Sequence, residues 1–198
     1  ADAVVMAWYP GQGGGYALGD LLFGDVNFSG RLPLTFPESV EGLPGFEDYT
    51  MQGRTYKYMT DNVMYPFGYG LNYGDVSYSE AKIKTSKISK KKLIEVEAKL
   101  KNTSAMAVDE VAQLYITSPD AGKGSALAQL IGFERIHLPA NSEKLITFTI
   151  TPEQLETIQE DGSSKLEKGN YKITISAAAP GYRSDELQVS TTSTNFKL

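Results

Sequence analysis

Strict alternation of apolar and charged residues marks one stretch in the second half of the chain. In residues 93–101, "LIEVEAKLK", positions 94, 96, 98 and 100 are apolar, whereas positions 95, 97, 99 and 101 are charged. A two-residue period places the apolar side chains on one face of an extended chain, so the stretch predicts a half-buried strand.

Similar stretches recur through residue 192 and are separated by turn residues. They are "VAQLYIT" (111–117), "LIGFERIHL" (130–138), "KLITFTI" (144–150), "NYKITISAA" (170–178) and "ELQVSTT" (186–192). Counted from Tyr78, seven short strands predict an antiparallel β-sandwich of immunoglobulin or fibronectin type. Its large aromatic residues suit core positions, and they are Tyr115, Phe133, Phe148 and Tyr171. In "TPEQLE", Thr151 and Gln154 form a predicted capping box that starts a single helical turn between the sheets.

The first quarter of the chain has a different pattern. Residues 3–8 are a short apolar run before Pro10-Gly11, which predicts a strand buried on both faces of an α/β layer. Leucines at 18, 21 and 22 have helical spacing, and Gly24 is a predicted helix stop. The local pattern of residues 3–24 therefore predicts a strand, a glycine turn and a short helix.

Residues 25–74 are rich in turns and aromatic side chains, with one short strand predicted near "RTYKYM" (54–59). Regular alternation begins after Gly74, so the domain boundary is placed there, with residues 75–198 forming the β-sandwich domain. Because no flexible Gly/Ser linker lies between them, we expect the two parts to pack closely.

Composition narrows the classes of function. The 198 residues carry 19 Lys and Arg against 24 Asp and Glu, for a net charge of −5, which gives no general attraction for nucleic acid or an anionic membrane. The absence of cysteine excludes disulfides and thiolate metal sites, and no apolar run reaches the roughly 20 residues of a membrane span. We expect neither a cofactor nor a metal.

Several candidate sites have simpler explanations. The glycine-rich stretch 11–15 lacks the lysine of a phosphate-binding loop and the spacing of a dinucleotide fingerprint, so it is interpreted as a tight turn into a helix. His137, the only histidine, is predicted to lie on the surface. Carboxylates between Asp20 and Asp48 show no local sign of catalysis, and capping, turns and solvation account for them. Lysines at 82, 84, 87 and 90–92 predict a solvated edge strand.

The remaining candidate is a carbohydrate-contacting site formed by aromatic side chains and an arginine. Trp8, Tyr9, Arg54 and Tyr56 are of the residue types that contact carbohydrate, and Arg54 and Tyr56 alternate on the predicted short strand. Packing of the rings among themselves explains the same pattern equally well.

Long motifs resemble those of glycoside hydrolase family 3. They are "AWYPGQGGGYALGDLLFGDVNFSGRLPLTFP", "GRTYKYM" and "YPFGYGLNY", followed by "VDEVAQLYI", "LIGFERIHLPANSEKLITFTITPEQL" and "EKGNYKITI". The first three are similar to the end of the second, α/β sandwich domain, and the others to a fibronectin type III-like domain. The resemblance implies that residues 1–74 are the C-terminal remnant of that α/β sandwich domain. The stretch "LPGFEDYTMQGRTYKYM" looks closer to β-xylosidase-type members than to β-glucosidases.

The resemblance implies a retaining exo-β-glycosidase whose aspartate nucleophile and glutamate acid/base lie upstream of Ala1. No position here matches either residue, so no catalytic residue is assigned, and the chain alone is expected to be inactive. Gly13 stands where the family commonly has glutamate. The implied substrate is an oligosaccharide or an aryl or alkyl β-glycoside, and the implied compartment is periplasmic or extracellular.

Two other hypotheses stay open from the sequence. The sandwich could be a carbohydrate- or protein-binding module, which an exposed row of aromatics would favour, or a structural or homodimerisation domain. An exposed apolar patch on residues 1–74 would instead favour a portion of a larger glycosidase.

Overall fold

The structure of the chain is a computed structural model that describes residues 3–85, 93–119, 121–122, 125–159 and 161–198. Within these ranges the helices are α1 (Gly14–Phe23), α2 (Thr55–Tyr58) and α3 (Tyr182–Glu186), with short 3-10 turns at Val40–Gly42 and Pro152–Leu155. The strands are β1 (Phe36–Pro37), β2 (Val63–Tyr65), β3 (Val76–Ile83), β4 (Ile94–Asn102), β5 (Val108–Thr117), β6 (Gln129–Leu138), β7 (Ser142–Ile150), β8 (Thr157–Ile158), β9 (Ser164–Lys165), β10 (Asn170–Ser176) and β11 (Thr191–Lys197).

Two antiparallel sheets form the β-sandwich that the alternation predicts. One sheet has the order β11-β10-β5-β6 and the other β3-β4-β7. The apolar side chains of β4 are almost fully buried between the sheets, and its charged residues point to the other face. The fold is therefore mainly β, as predicted. An immunoglobulin-like sandwich follows residues 3–74, which we call the N-terminal segment.

Strand β5 is buried on both of its faces. Ala112 and Leu114 point into the core between the sheets, whereas Gln113 and Tyr115 point outward and are covered by the N-terminal segment. Tyr115, Phe148 and Tyr171 are buried as predicted. The prediction that Phe133 lies in the core is wrong. Phe133 pairs with Gln113 on the outer face of the sheet, and its side chain is 70% exposed.

The last strand lies later in the chain than predicted. Residues 186–192 contain the end of α3 and a left-handed Gln188, and β11 begins only at Thr191. Tertiary contacts hold α3, because the hydroxyl of Tyr182 accepts a hydrogen bond from Val63 N at 2.8 Å and Arg183 Nε donates to Met64 O at 3.0 Å. β11 itself has few apolar residues and so gave a weak signal.

The predicted capping box is present. Thr151 N donates to the Gln154 side-chain oxygen at 2.8 Å, and the 3-10 turn that follows buries Leu155. The turn leaves β7 of the three-stranded sheet, and the chain then returns to β10 of the four-stranded sheet. It is thus the helical crossing that the sequence predicted.

The N-terminal segment matches its predicted pattern in part. Helix α1 ends as expected at a left-handed Gly24, and a Cβ at Gly14 would clash with Pro10, so the glycines form the tight turn into the helix. However, residues 3–8 form no strand, and the prediction of a buried one is wrong. A parallel strand requires neighbours, and none of the described residues pairs with this run, whose side chains stay exposed.

The lysine-rich edge is described only in part. Strand β3 is the edge of its sheet. Lys82 lies exposed on it and Lys84 directly after it, and they pair with Glu80 at 3.1 Å and Glu97 at 3.2 Å. Lys87 and residues 90–92 of the predicted basic run lie outside the described residues.

Backbone hydrogen bonds join the N-terminal segment to the sandwich. Ala179 N donates to Phe67 O at 2.8 Å, and Leu127 N donates to Lys57 O at 2.8 Å. The Gln113 side chain donates to Gly68 O at 3.1 Å. The two parts therefore pack directly against each other without an intervening linker.

A buried ion pair completes this contact. Arg31 Nη2 donates to both carboxylate oxygens of Glu110, at 2.9 and 2.8 Å, and the side chains are 7% and 2% exposed. The Tyr78 hydroxyl and Val111 N also donate to Glu110, each at 3.1 Å. Burial, together with the negative Glu110, raises the pKa of Tyr78 well above its ordinary value, so Tyr78 remains a neutral donor.

Candidate functional site

A single arginine organises the aromatic loop, by which we mean residues 43–51. Arg54 Nη2 donates to the carbonyl oxygens of Pro44, Gly45 and Asp48, at 3.3, 3.0 and 2.9 Å. Within the loop, Asp48 N donates to Gly45 O at 3.0 Å and Thr50 N donates to Asp48 Oδ1 at 2.8 Å. The hydrogen bonds from Thr50 lower the pKa of Asp48, which keeps this exposed carboxylate ionised.

Two aromatic rings project from this loop. Phe46 is 93% exposed and Tyr49 is 91% exposed. Sequence reasoning missed both, although the turn residues around them in "LPGFEDYT" mark a loop that could display side chains.

Helix α2 fastens the loop to the sandwich. The ring of Tyr56 stacks on Phe67, with centroids 4.6 Å apart, and meets Tyr115 edge-on at 5.9 Å. Its hydroxyl accepts a hydrogen bond from Leu130 N at 3.1 Å, and burial raises the pKa of Tyr56. The predicted strand at 54–59 is wrong, because these contacts with the sandwich hold residues 55–58 as a helical turn.

The structure does not bring the four predicted rim residues together. Trp8 is 53% exposed and Tyr9 is fully exposed. No hydrogen bond or ring contact between described residues joins either of them to Arg54 or Tyr56. Arg54 and Tyr56 instead hold the aromatic loop and α2.

Exposed apolar residues concentrate at the start of the chain. We define the N-terminal apolar face as the exposed side chains of Val4, Val5, Met6, Tyr16, Leu22, Phe23 and Val26. α1 buries none of its residues, and an open hollow of about 340 Å³ is lined by Leu22, Phe23, Gly24, Tyr73 and Met106. Exposed apolar surface of this kind is expected of a portion of a larger protein.

His137 lies on the surface, as predicted. Its Nδ1 is 2.7 Å from Asp109 Oδ1, while Arg135 Nη2 donates to Asp109 Oδ2 at 2.7 Å and to Ser29 Oγ at 3.1 Å. The described ranges contain no group of three or more His, Asp or Glu residues that could hold a metal ion. They also contain no helix long and apolar enough to cross a membrane.

Removing the guanidinium of Arg54 is expected to loosen the aromatic loop. In Arg54→Ala we expect amide hydrogen exchange at Asp48 and Thr50 to accelerate about tenfold, because three carbonyls lose their shared donor. Exchange monitored by NMR checks this, with Arg135→Ala as the control. Unchanged exchange at Asp48 and Thr50 would show that Arg54 does not hold the loop.

The pairing of Asp109 with His137 is expected to make the free energy of unfolding depend slightly on pH in the acid range. A hydrogen bond from His137, assisted by the positive Arg135, lowers the pKa of Asp109 below its ordinary value. The stabilisation is therefore present above the unfolded pKa of about 4 and is lost as the pH falls through the folded value. For a part-exposed pair we expect a loss below about 1 kcal/mol. Urea unfolding should show that the stability advantage of the wild type over Asp109→Asn, present at pH 6, shrinks by this amount at pH 2, because all other carboxylates titrate in both proteins.

Two family models match the chain in sequence. Residues 1–73 match the Glycosyl hydrolase family 3 C-terminal domain, and residues 110–179 match the Fibronectin type III-like domain. A xylan 1,4-beta-xylosidase from Xylanibacter ruminicola is 40% identical over 173 residues, which cover 87% of this chain and 20% of that protein. A periplasmic beta-glucosidase from Salmonella typhimurium is 31% identical over 88% of this chain and 24% of its own length.

Solved structures agree with these sequence matches. A GH3 beta-glucosidase from Bifidobacterium adolescentis superposes with a TM-score of 0.77 at 26% identity, covering 94% of this chain and 28% of that one. Beta-glucosidase 3B from Thermotoga neapolitana has the same fold, with a TM-score of 0.80 over 96% of this chain and 27% of that one, at 24% identity.

The chain is a fibronectin type III-like sandwich whose outer face is covered by a segment matching a glycoside hydrolase domain. Since both family models match in this order, the chain belongs to glycoside hydrolase family 3 and corresponds to a C-terminal part of its members. The family resemblance of the motifs is thereby confirmed. The chain spans about a fifth to a quarter of the length of the curated relatives it matches.

Proposed function

We propose that the chain is the C-terminal portion of a retaining exo-β-glycosidase that releases terminal β-D-glucosyl or β-D-xylosyl residues. The observation that carries the proposal is the ordered match to both family domains, with relatives named as β-xylosidases and β-glucosidases. In such an enzyme two carboxyl groups about 5–5.5 Å apart act as nucleophile and acid/base. We assign both to parts of the enzyme outside these 198 residues.

The carboxylates of the N-terminal segment support this assignment. A general acid needs a raised pKa, because it must carry its proton to the leaving group. Where hydrogen bonds displace the pKa of a carboxylate in this segment, at Glu41 and Asp48, they lower it. Both side chains are exposed to solvent.

The N-terminal apolar face supports a contact with the rest of the enzyme. Phe23 is 88% exposed and Val4 is 74% exposed, and such surface is unfavourable in water. We propose that the preceding part of the α/β domain and the barrel domain are the partners of this chain. In that arrangement the sandwich supports the catalytic domains, and the N-terminal segment forms part of the cleft rim, with Trp8 and Tyr9 accessible to substrate.

We place the enzyme outside the cytoplasm, in the periplasm or secreted. The support is the Salmonella typhimurium relative, which is named a periplasmic beta-glucosidase.

Hydrolysis assays test the proposal directly. Aryl β-xyloside and aryl β-glucoside are incubated with the 198-residue chain and, separately, with a longer protein that includes the upstream barrel. We expect turnover only by the longer protein, and its preferred sugar then assigns the substrate class. Turnover by the 198-residue chain alone would contradict the proposal, and the carboxylates between Asp20 and Asp48 would become the residues to mutate.

A further inference from the structure

We propose that the aromatic loop is a carbohydrate-binding element, in which Phe46 and Tyr49 stack on sugar rings and the carboxylates of Glu47 and Asp48 accept hydrogen bonds from sugar hydroxyls. The inference rests on the proposed function and names the residues through which this chain contacts the substrate. In this proposal the residues that contact the substrate are Phe46 and Tyr49. Arg54 and Tyr56, which the sequence had suggested for that contact, hold the loop in place instead.

The exposure of the two rings is the first observation. Phe46 and Tyr49 are three residues apart and each is more than nine-tenths exposed. An isolated exposed apolar residue is ordinary, but two almost fully exposed aromatic rings on one short loop present a large apolar area to the solvent.

The rigidity of the loop is the second observation. The guanidinium of Arg54 donates to carbonyls at both ends of the Pro44–Asp48 turn. Arg54 immediately precedes α2, whose Tyr56 and Lys57 are hydrogen bonded to residues 130 and 127 of the sandwich. A loop held in this way loses little conformational entropy when a ligand binds, which is the usual advantage of a preorganised site.

The two carboxylates between the rings favour a ligand that offers hydrogen-bond donors. Glu47 and Asp48 are exposed, and the hydrogen bonds from Thr50 favour the ionised form of Asp48. An apolar protein surface docked here would remove the carboxylates from water without offering donors, which is costly. A β-glycoside offers hydroxyl donors together with the apolar C–H face of the sugar ring, so it satisfies both the carboxylates and the aromatic rings.

Binding of oligosaccharides to the 198-residue chain tests the inference. Xylotetraose and cellotetraose are titrated separately and followed by NMR chemical shifts. We expect millimolar binding of at least one of them, with shifts at residues 44–51, and about tenfold weaker binding in the Phe46→Ala/Tyr49→Ala double variant. Tyr49→Phe should retain most of the affinity, because it keeps the ring.

Tyr16→Ala is the matched control. Tyr16 is an aromatic residue that is 84% exposed, but it belongs to α1 and not to the aromatic loop. Its affinity should equal that of the wild type. The inference is overturned if neither oligosaccharide binds, if the double variant binds as tightly as the wild type, or if Tyr16→Ala weakens binding equally. Such a failure would leave the proposed function standing, because hydrolysis by the longer protein is measured independently.

Discussion

Replacing Glu110 with glutamine is expected to lower the free energy of unfolding by about 3–5 kcal/mol. Glu110 and Arg31 are almost fully buried, and Glu110 also accepts hydrogen bonds from Tyr78 and Val111. Removing one charge leaves the Arg31 guanidinium buried without its counter-ion, and the attraction that offset its desolvation disappears. Urea unfolding at pH 7, followed by circular dichroism, measures the loss.

The neighbouring Asp109 provides a matched control. Asp109 pairs with Arg135 and His137 on the exposed side of the same strand, so Asp109→Asn should cost less than about 1 kcal/mol. The double variant Arg31→Met/Glu110→Leu should recover much of the stability lost in Glu110→Gln, because no unpaired buried charge remains. Equal effects of Glu110→Gln and Asp109→Asn would show that the buried pair does not join the two parts.

Replacing Gly68 with alanine is expected to cost about 2–4 kcal/mol of unfolding free energy. Gly68 has a φ of 78°, which alanine rarely adopts, and a Cβ there would clash with the side-chain amide of Gln113. Gln113 donates to Gly68 O and Ala177 O, at 3.1 and 2.7 Å, and its oxygen accepts from the Tyr115 hydroxyl at 2.6 Å. Displacing this buried amide breaks hydrogen bonds that water cannot replace.

The variant Gly24→Ala separates the cost of the left-handed backbone from the cost of the clash with Gln113. Gly24 has a similar φ of 82°, but nothing lies within 4 Å of a Cβ built on it. We therefore expect a cost of about 1 kcal/mol from the backbone conformation alone. If the two alanine variants lose equal stability in the same urea assay, then Gln113 adapts freely and the proposed clash is absent.

The regular strands of the sandwich were the most predictable part of the fold. β4 alternates apolar and charged residues because one face is buried and the other solvated, and this local pattern is visible without any partner. β11, by contrast, has the sequence "TTSTNFK" and is a strand because it pairs with β10, from Asn170 with Lys197 to Ser176 with Thr191. Pairing with a neighbouring strand uses backbone groups, so the sequence of such a polar stretch does not indicate a strand.

The candidate site was less predictable, since its organisation depends on contacts distant in sequence. Arg54 and Tyr56 were recognised as notable residues, but the sequence could not show that Arg54 binds the carbonyls of its own loop. Tyr56 meets Leu130, which is 74 residues away. Phe46 and Tyr49 became candidates only when their exposure was known, because an aromatic residue in sequence is equally suited to a core.

Local pattern alone determined the regular strands of the β-sandwich, the capping box at Thr151 and the end of α1 at Gly24, because alternation, capping and left-handed glycine are properties of a few adjacent residues. Only the tertiary structure decided that Arg31 and Glu110 form a buried pair, that residues 3–8 lack strand partners and that 55–58 are helical. These features depend on groups separated by tens of residues, whose approach is governed by packing and desolvation rather than by local sequence.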